Sequence, residues 1–162
     1  MISSDANGRS GLRWLWLSGL VLILDQATKL AISGSLALHQ SIEITPFFSL
    51  VYWQNTGAAF SLFAHQPGWQ RGFFILVALV ASAIILVLLH RTRSRPLFCA
   101  ALALILGGAV GNAIDRVAYG HVIDFLLFHW RTWFYPAFNV ADSGITIGAG
   151  LLILDAFRRD KS

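Results

Sequence analysis

Of 162 residues, 56% are apolar and only 12% are charged, whereas a soluble domain carries about 25% charged residues; the composition argues against a water-soluble fold. The net charge of +4 invites a nucleic-acid reading, but the basic residues fall in short runs between apolar segments, the distribution of membrane topology signals. The one cysteine, Cys99, lies inside an apolar run, so an intramolecular disulfide and a Cys-rich metal site are both excluded.

In chain order, residues 1–11 are polar and Gly/Ser-rich and read as a disordered tail. The first apolar span covers about 14–33, long enough to cross a bilayer at ~1.5 Å per residue. A cleavable signal sequence also begins with basic residues and a short apolar run, but Asp25 and Lys29 sit where such a segment does not place charges. Residues 34–69 are mixed: loose alternation through Ile42 and Ile44, then a β-prone stretch from Leu50 to Trp53, predict a small sheet. Further apolar spans follow at about 70–90, 97–115 and 138–157, with a second mixed segment at 116–137. Pro96 suits the first turn of the third span. The expectation is an all-α membrane protein: one integral domain, residues 1–162, with four transmembrane helices, a small extracytoplasmic β-rich segment and a short surface helix.

Basic residues crowd the N-terminus, the 90–95 loop and the C-terminus, which four spans place on one side. By the positive-inside rule that side is cytoplasmic, and 34–69 and 116–137 are extracytoplasmic. Trp69, Trp130, Trp133, Phe134 and Tyr135 then form an aromatic belt at the opposite interface.

The chain has eight acidic residues, and Asp25, Asp115, Asp124 and Asp142 all map near the outer ends of the spans or between them. Ionised carboxylates avoid apolar surroundings unless paired or solvated. Asp25 and Lys29 stand at i,i+4 with the acid first, the order that favours a helical ion pair, and read as a structural polar pair. Asn112, Asp115 and Arg116 share a face of the third span, as Asn139 and Asp142 do of the fourth. Gly107 with Gly111, and Gly144 with Gly148, form small-xxx-small pairs that let helices approach closely. Such packing would bring both polar faces together. If Asp124 and Asp142 face one cavity, repulsion and burial make them share a proton, and such a dyad can hydrolyse an amide without metal. The residues alone leave three readings open: an aspartyl hydrolase, a small ion- or proton-coupled membrane transporter, and a purely structural polar network. His121 and His129 flank Asp124, the one place where a metal is conceivable; the expectation is no cofactor and no metal.

Taken together the motifs resemble those of the lipoprotein signal peptidases (signal peptidase II), bacterial membrane aspartyl proteases. The resemblance runs over about residues 13–158. It is carried by Asp25 with Lys29, by Asn55-Thr56-Gly57-Ala58-Ala59-Phe60, by the stretch Gly107-Gly108-Ala109-Val110-Gly111-Asn112-Ala113-Ile114-Asp115-Arg116, by Val122-Ile123-Asp124-Phe125, and by Phe138-Asn139-Val140-Ala141-Asp142-Ser143. Tyr135 stands before Pro136 where many members have Trp. The resemblance implies Asp124 and Asp142 as the catalytic pair, and Asn55, Gly57, Asn112, Asp115, Arg116 and Asn139 as substrate-binding or site-shaping residues. It implies diacylglyceryl prolipoproteins as substrates in the bacterial inner membrane, with contact to membrane lipids but not nucleic acid. Both termini would be cytoplasmic, the site would lie near the outer face, and the cyclic peptide globomycin would inhibit. Residues 38–66 are a candidate cover over the substrate.

Overall fold

The computed structural model describes residues 10–57 and 68–159. Four long helices dominate: α1 (Leu15–Ser35), α2 (Trp69–Arg91), α3 (Pro96–Ala118) and α4 (Val140–Arg159). Each is long and apolar enough to cross a membrane. Strands β1 (Ser41–Thr45), β2 (Phe48–Asn55), β3 (Val122–Trp130) and β4 (Trp133–Phe134) form one antiparallel sheet in chain order. The fold is therefore mostly helical, with a small sheet at one end of the bundle. The expected short surface helix and the Ala58-Ala59-Phe60 part of the outer motif lie outside the described residues, as do residues 1–9.

α2 shows why the composition looks as it does. Leu76, Val77, Leu79, Val80 and Ile84 are exposed along it. A helix apolar all round belongs in lipid or in a core, and α2 packs mainly on α3. α3 is the central helix and packs against α1, α2 and α4. Its glycines make that possible. A Cβ on Gly107 would stand 2.7 Å from the Ser18 carbonyl oxygen, and one on Gly108 would collide with the carbonyl of Ala141. From the α4 side, a Cβ on Gly148 would stand 2.6 Å from the carbonyl oxygen of Ala101. Ser18 Oγ adds a hydrogen bond of 2.7 Å to the Ala103 carbonyl. Backbone contact of this closeness is what membrane helices use where burial from water cannot drive association.

The two ends of the bundle differ in chemistry. At one end Gly11 N donates to the Thr92 carbonyl at 3.0 Å, Ser10 bridges to Arg93, and Arg95 pairs with Asp155 of α4. Arg13, Arg91, Arg93, Arg95 and Arg158 belong to this end. Ser10 and Gly11, expected in a disordered tail, are ordered: the Ser10 hydroxyl accepts from Leu12 N at 3.2 Å and starts a short 3₁₀ turn, Gly11–Trp14. The sheet occupies the other end.

The mixed stretch 116–137 contains a nine-residue strand, β3, that the sequence reading did not single out. Val122, Ile123, Asp124, Phe125 and Leu127 are all buried, so the strand lacks the alternation by which a half-exposed strand is read. β3 lies between β2 and β4, and its start joins the C-terminal end of α3 to the sheet.

Gly108→Ala should lower the thermal midpoint in detergent by an amount corresponding to about 1–3 kcal/mol, the usual cost of overpacking. Gly19→Ala, where a Cβ meets nothing within 4 Å, should be neutral or stabilising by up to ~1 kcal/mol. Equal midpoints for the two variants would contradict the close α3–α4 contact.

Candidate active site

The site forms where the chain returns from β4 to α4. Phe125 N and Leu126 N both donate to the Phe138 carbonyl, at 3.0 and 2.9 Å, and Phe138 N donates to Leu126 O at 3.0 Å. Residue 138 is thereby held beside β3, and α4 must begin next to Asp124. The start of α4 is a capping box. Asn139 is the N-cap: its Oδ1 accepts from Asp142 N at 2.9 Å, and Asp142 Oδ2 accepts from Asn139 N at 3.3 Å. The remaining face of the Asn139 amide is then a donor, and Nδ2 donates to Asp124 Oδ1 at 2.8 Å. One fully buried asparagine thus touches both acids.

The outer oxygens are also held. Asn112 Nδ2 donates to Asp142 Oδ1 at 2.8 Å, and Asn55 Nδ2 donates to Asp124 Oδ2 at 3.0 Å. Asn55 reaches that position because it closes β2, where it pairs with Val122 while Trp53 pairs with Asp124. Every partner named here is a neutral N–H donor. Neither acid has a cation in direct hydrogen-bond contact among the described residues.

Asp25 and Asp115 are treated differently. Lys29 Nζ lies 2.7 Å from Asp25 Oδ2 and 2.8 Å from Asp115 Oδ2, with all three side chains buried. It also donates to Asn112 Oδ1 at 3.1 Å. Asp25 Oδ1 accepts from Ala141 N in the first turn of α4 at 2.8 Å, and Asp115 Oδ2 accepts from Ile123 N at 3.2 Å. A carboxylate at a helix N-terminus is favoured by the exposed amides and the dipole there. Gln26 completes the cluster through Asp115 Oδ1 at 2.9 Å and Asp25 Oδ2 at 3.1 Å. The sequence reading missed Gln26, although a glutamine inside an apolar span was a usable signal. Gly111 is forced, since a Cβ there would stand 2.7 Å from Asp25 Oδ2.

Arg116 is nine-tenths buried. Its Nη2 donates to the Gly57 carbonyl at 2.7 Å and its Nη1 to the Asn112 carbonyl at 3.2 Å, and the guanidinium lies 4.8 Å over the Phe74 ring. Its Nε has no hydrogen-bond partner among the described residues. Asn55, Gly57, Asn112, Arg116, Asp124 and Asp142 all line one cavity of about 550 Å³, with Tyr135 to Phe138 as a further wall. Asn139 sits behind that wall, and Asp25, Lys29 and Asp115 form the buried layer beneath it. His129 is elsewhere: its Nε2 is 2.9 Å from Ser49 Oγ, five residues along β3 from Asp124. Among the described residues no group of three or more His, Cys, Asp or Glu is arranged to hold a metal ion.

The electrostatics set Asp124 apart. Burial, and then the nearby Asp142 carboxylate, push its carboxyl up from 3.8 to about 7; the amides of Asn55 and Asn139 and the Lys29 charge pull the other way. Burial wins because amide donors stabilise an ionised carboxylate less than water or a cation does. Such a site can hold a proton on one carboxyl while the other remains ionised, beside a cavity open enough to admit a chain segment.

The family described as "Signal peptidase (SPase) II" matches residues 17–158. A lipoprotein signal peptidase of Paraburkholderia phytofirmans is 54% identical over 157 residues, covering 97% of this chain and 91% of that protein. The lipoprotein signal peptidase of Pseudomonas putida is 53% identical, covering 98% and 95%. Among solved structures, one described as "Bacterial membrane enzyme structure by the in meso method at 2.3 A resolution" superimposes with a TM-score of 0.82 at 30% identity, covering 93% of this chain and 90% of that one.

Asp124 keeps a proton in the folded chain up to about pH 7, whereas the unfolded chain releases it near 3.8. The folded state binds more protons across that window, so this group's contribution to stability is lost as pH rises through it. Asp124→Asn should therefore flatten the dependence of thermal midpoint on pH between about 4 and 7. Identical slopes for the variant and the parent protein would mean that Asp124 does not titrate there.

Proposed function

The chain belongs to the signal peptidase II family of proteases, and from that premise we propose that it cleaves diacylglyceryl-modified prolipoproteins just before the lipidated cysteine, releasing the signal peptide. Nothing in the fold or among the relatives favours an ion- or proton-coupled carrier. The observation that carries the catalytic assignment is Asn139 bonded to Asp124 through its side chain and to Asp142 through its backbone, at the wall of one cavity.

Four carboxylates, Asp25, Asp115, Asp124 and Asp142, face two cations, Lys29 and Arg116. Lys29 serves the first two directly. The second pair, held by neutral amides, is where one proton lowers the excess charge, and the proton belongs to the pair. We place it on Asp124 at neutral pH. A water between the two carboxyls gives a proton to Asp142 as its oxygen attacks the scissile carbonyl carbon. Asp124 donates its proton to the carbonyl oxygen, and a neutral tetrahedral intermediate forms. Collapse of that intermediate returns the hydroxyl proton to Asp124, while Asp142 protonates the departing amine. Asn112 and Asn55 hold the carboxyls in place. Arg116 and the Gly57 backbone line the cavity where the peptide's carbonyls would lie, and the Arg116 guanidinium is the donor suited to them.

Membrane placement supplies the rest. With the basic end of the bundle cytoplasmic, both termini lie inside and the cavity lies near the outer face of the bacterial inner membrane. Residues 34–69 and 116–137 are then the extracytoplasmic segments. The substrate's acyl chains stay in lipid and its signal helix lies against the bundle, which fixes the scissile bond at the depth of the acids. Globomycin would compete for this cavity.

Asp124→Asn and Asp142→Asn should each bind a lipidated prolipoprotein but lose at least about 10³-fold in cleavage rate, as removal of a catalytic acid or base does. The parent rate should fall as pH rises through about 7, where Asp124 loses its proton. A gel-shift assay reads both. Wild-type turnover by Asp142→Asn would end the dyad reading.

A further inference from the structure

α2 and α3 do not close on each other along their whole length. Away from the sheet, Ile85 and Leu89 of α2 are buried with Leu102 and Leu106 of α3. Toward the sheet end Ala78, Ser82 and Ala113 are short, and a groove of about 350 Å³ opens between Ile75, Ala78 and Ser82 of α2 and Val110, Ala113 and Val117 of α3. Apart from the Ser82 hydroxyl, its lining side chains are hydrocarbon. Leu79, Ile114 and Val117 along it are exposed, so the groove opens sideways, where apolar spans meet lipid.

A cation stands at the sheet end of this groove. Arg71 is exposed, one turn before Ile75 on α2. Its Nη2 donates to the carbonyl of Val117, a groove residue, at 3.0 Å, and a Cβ on Gly120 would stand 3.7 Å from its Nη1. The guanidinium therefore lies across the last turn of α3, where a helix leaves carbonyls without partners of its own. That contact uses one of five N–H donors. Among the described residues no carboxylate pairs with Arg71 and no other protein acceptor meets it. The donors left over belong to a planar fork of the shape that grips a phosphate.

Length and charge choose among occupants. From Arg71 to Ser82, α2 rises about 16 Å at ~1.5 Å per residue, close to half of a ~30 Å hydrocarbon layer. Beyond Ser82 the two helices close. A transmembrane partner helix would need the face to continue across the bilayer, whereas one acyl chain of a lipid in the sheet-end leaflet needs only this half. The diacylglyceryl group of a prolipoprotein brings no phosphate to Arg71. We propose that the groove and Arg71 form a binding site for an anionic glycerophospholipid of the bilayer, with one acyl chain in the groove and the phosphate on the guanidinium. The site shares no lining residue with the acid cavity and does not depend on the peptidase reading.

The test is native mass spectrometry of the full chain in detergent, titrated with phosphatidylglycerol, phosphatidylcholine or diacylglycerol. Phosphatidylglycerol should bind about ten-fold more tightly than either of the others. Arg71→Gln keeps a donor for the Val117 carbonyl and should weaken phosphatidylglycerol about ten-fold, as loss of a charge-assisted contact does. Arg131→Gln, at an exposed arginine between β3 and β4, should change its affinity by less than about two-fold. Ser82→Leu, which fills the groove, should weaken phosphatidylglycerol as Arg71→Gln does, its thermal midpoint without lipid showing that it folds; if it does not fold, Arg71→Gln alone decides. The site is refuted if Arg71→Gln binds phosphatidylglycerol as tightly as the parent protein, or if Arg131→Gln weakens it equally. It is refuted too if diacylglycerol or phosphatidylcholine binds as tightly as phosphatidylglycerol, since the groove would then take an acyl chain without regard to charge. Disulfide-linked dimers of a Ser82→Cys, Cys99→Ala protein that phosphatidylglycerol does not prevent would make the groove a contact between copies of the chain and would equally overturn it.

Discussion

A single ammonium group, Lys29 Nζ, holds the outer half of this bundle together. It is buried between Asp25 and Asp115 at 2.7 and 2.8 Å. Besides Gln26, each of those carboxylates accepts from a backbone N–H: Asp25 from Ala141 in α4, Asp115 from Ile123 in β3. One cation thus ties α1, α3, α4 and the sheet to a common point. A buried ion cluster that loses one member leaves an uncompensated charge, at a cost of about 3–5 kcal/mol. In a membrane interior there is no water to soften that cost, so the arrangement tolerates little movement.

The consequence reaches the two acids of the proposed reaction through amide orientation. Neither an ammonium nor a backbone N–H can accept a hydrogen bond. Lys29 therefore compels Asn112 to present Oδ1 inward and Nδ2 to Asp142. Asp142 N likewise compels Asn139 to present Oδ1 to itself and Nδ2 to Asp124. The same cation that bridges Asp25 and Asp115 fixes the Asn112 donor on Asp142. The result is two kinds of carboxylate a few residues apart in the fold. One kind is ion-paired; the other is buried among neutral donors. Preorganised polar groups of this sort need no rearrangement when charge develops.

The helices supply the remaining constraint. α3 sits centrally and is lined with glycine where α1 and α4 touch it, so the polar ends of three helices meet. α2 stays largely in lipid. α4 gives its Gly144 and Gly148 face to α3 and to Val21 of α1.

Much was legible in the residues themselves. Apolar length announced four spans, the i,i+4 spacing of Asp25 and Lys29 announced an ion pair, and the glycine spacing announced close helix contact; these depend on helical periodicity alone and survive any tertiary context. The five motifs in order pointed to the family. What the tertiary structure decided is which groups share an environment. Nothing local told that Asp115 joins Asp25 on Lys29, that Gln26 belongs to the cluster, or that Asn139 is at once a helix cap and the bridge between the acids. β3 was hidden because burial on both faces erased its alternation. Whether a carboxylate is paired or protonated depends on neighbours brought together from separate segments, and that is a property of the folded chain.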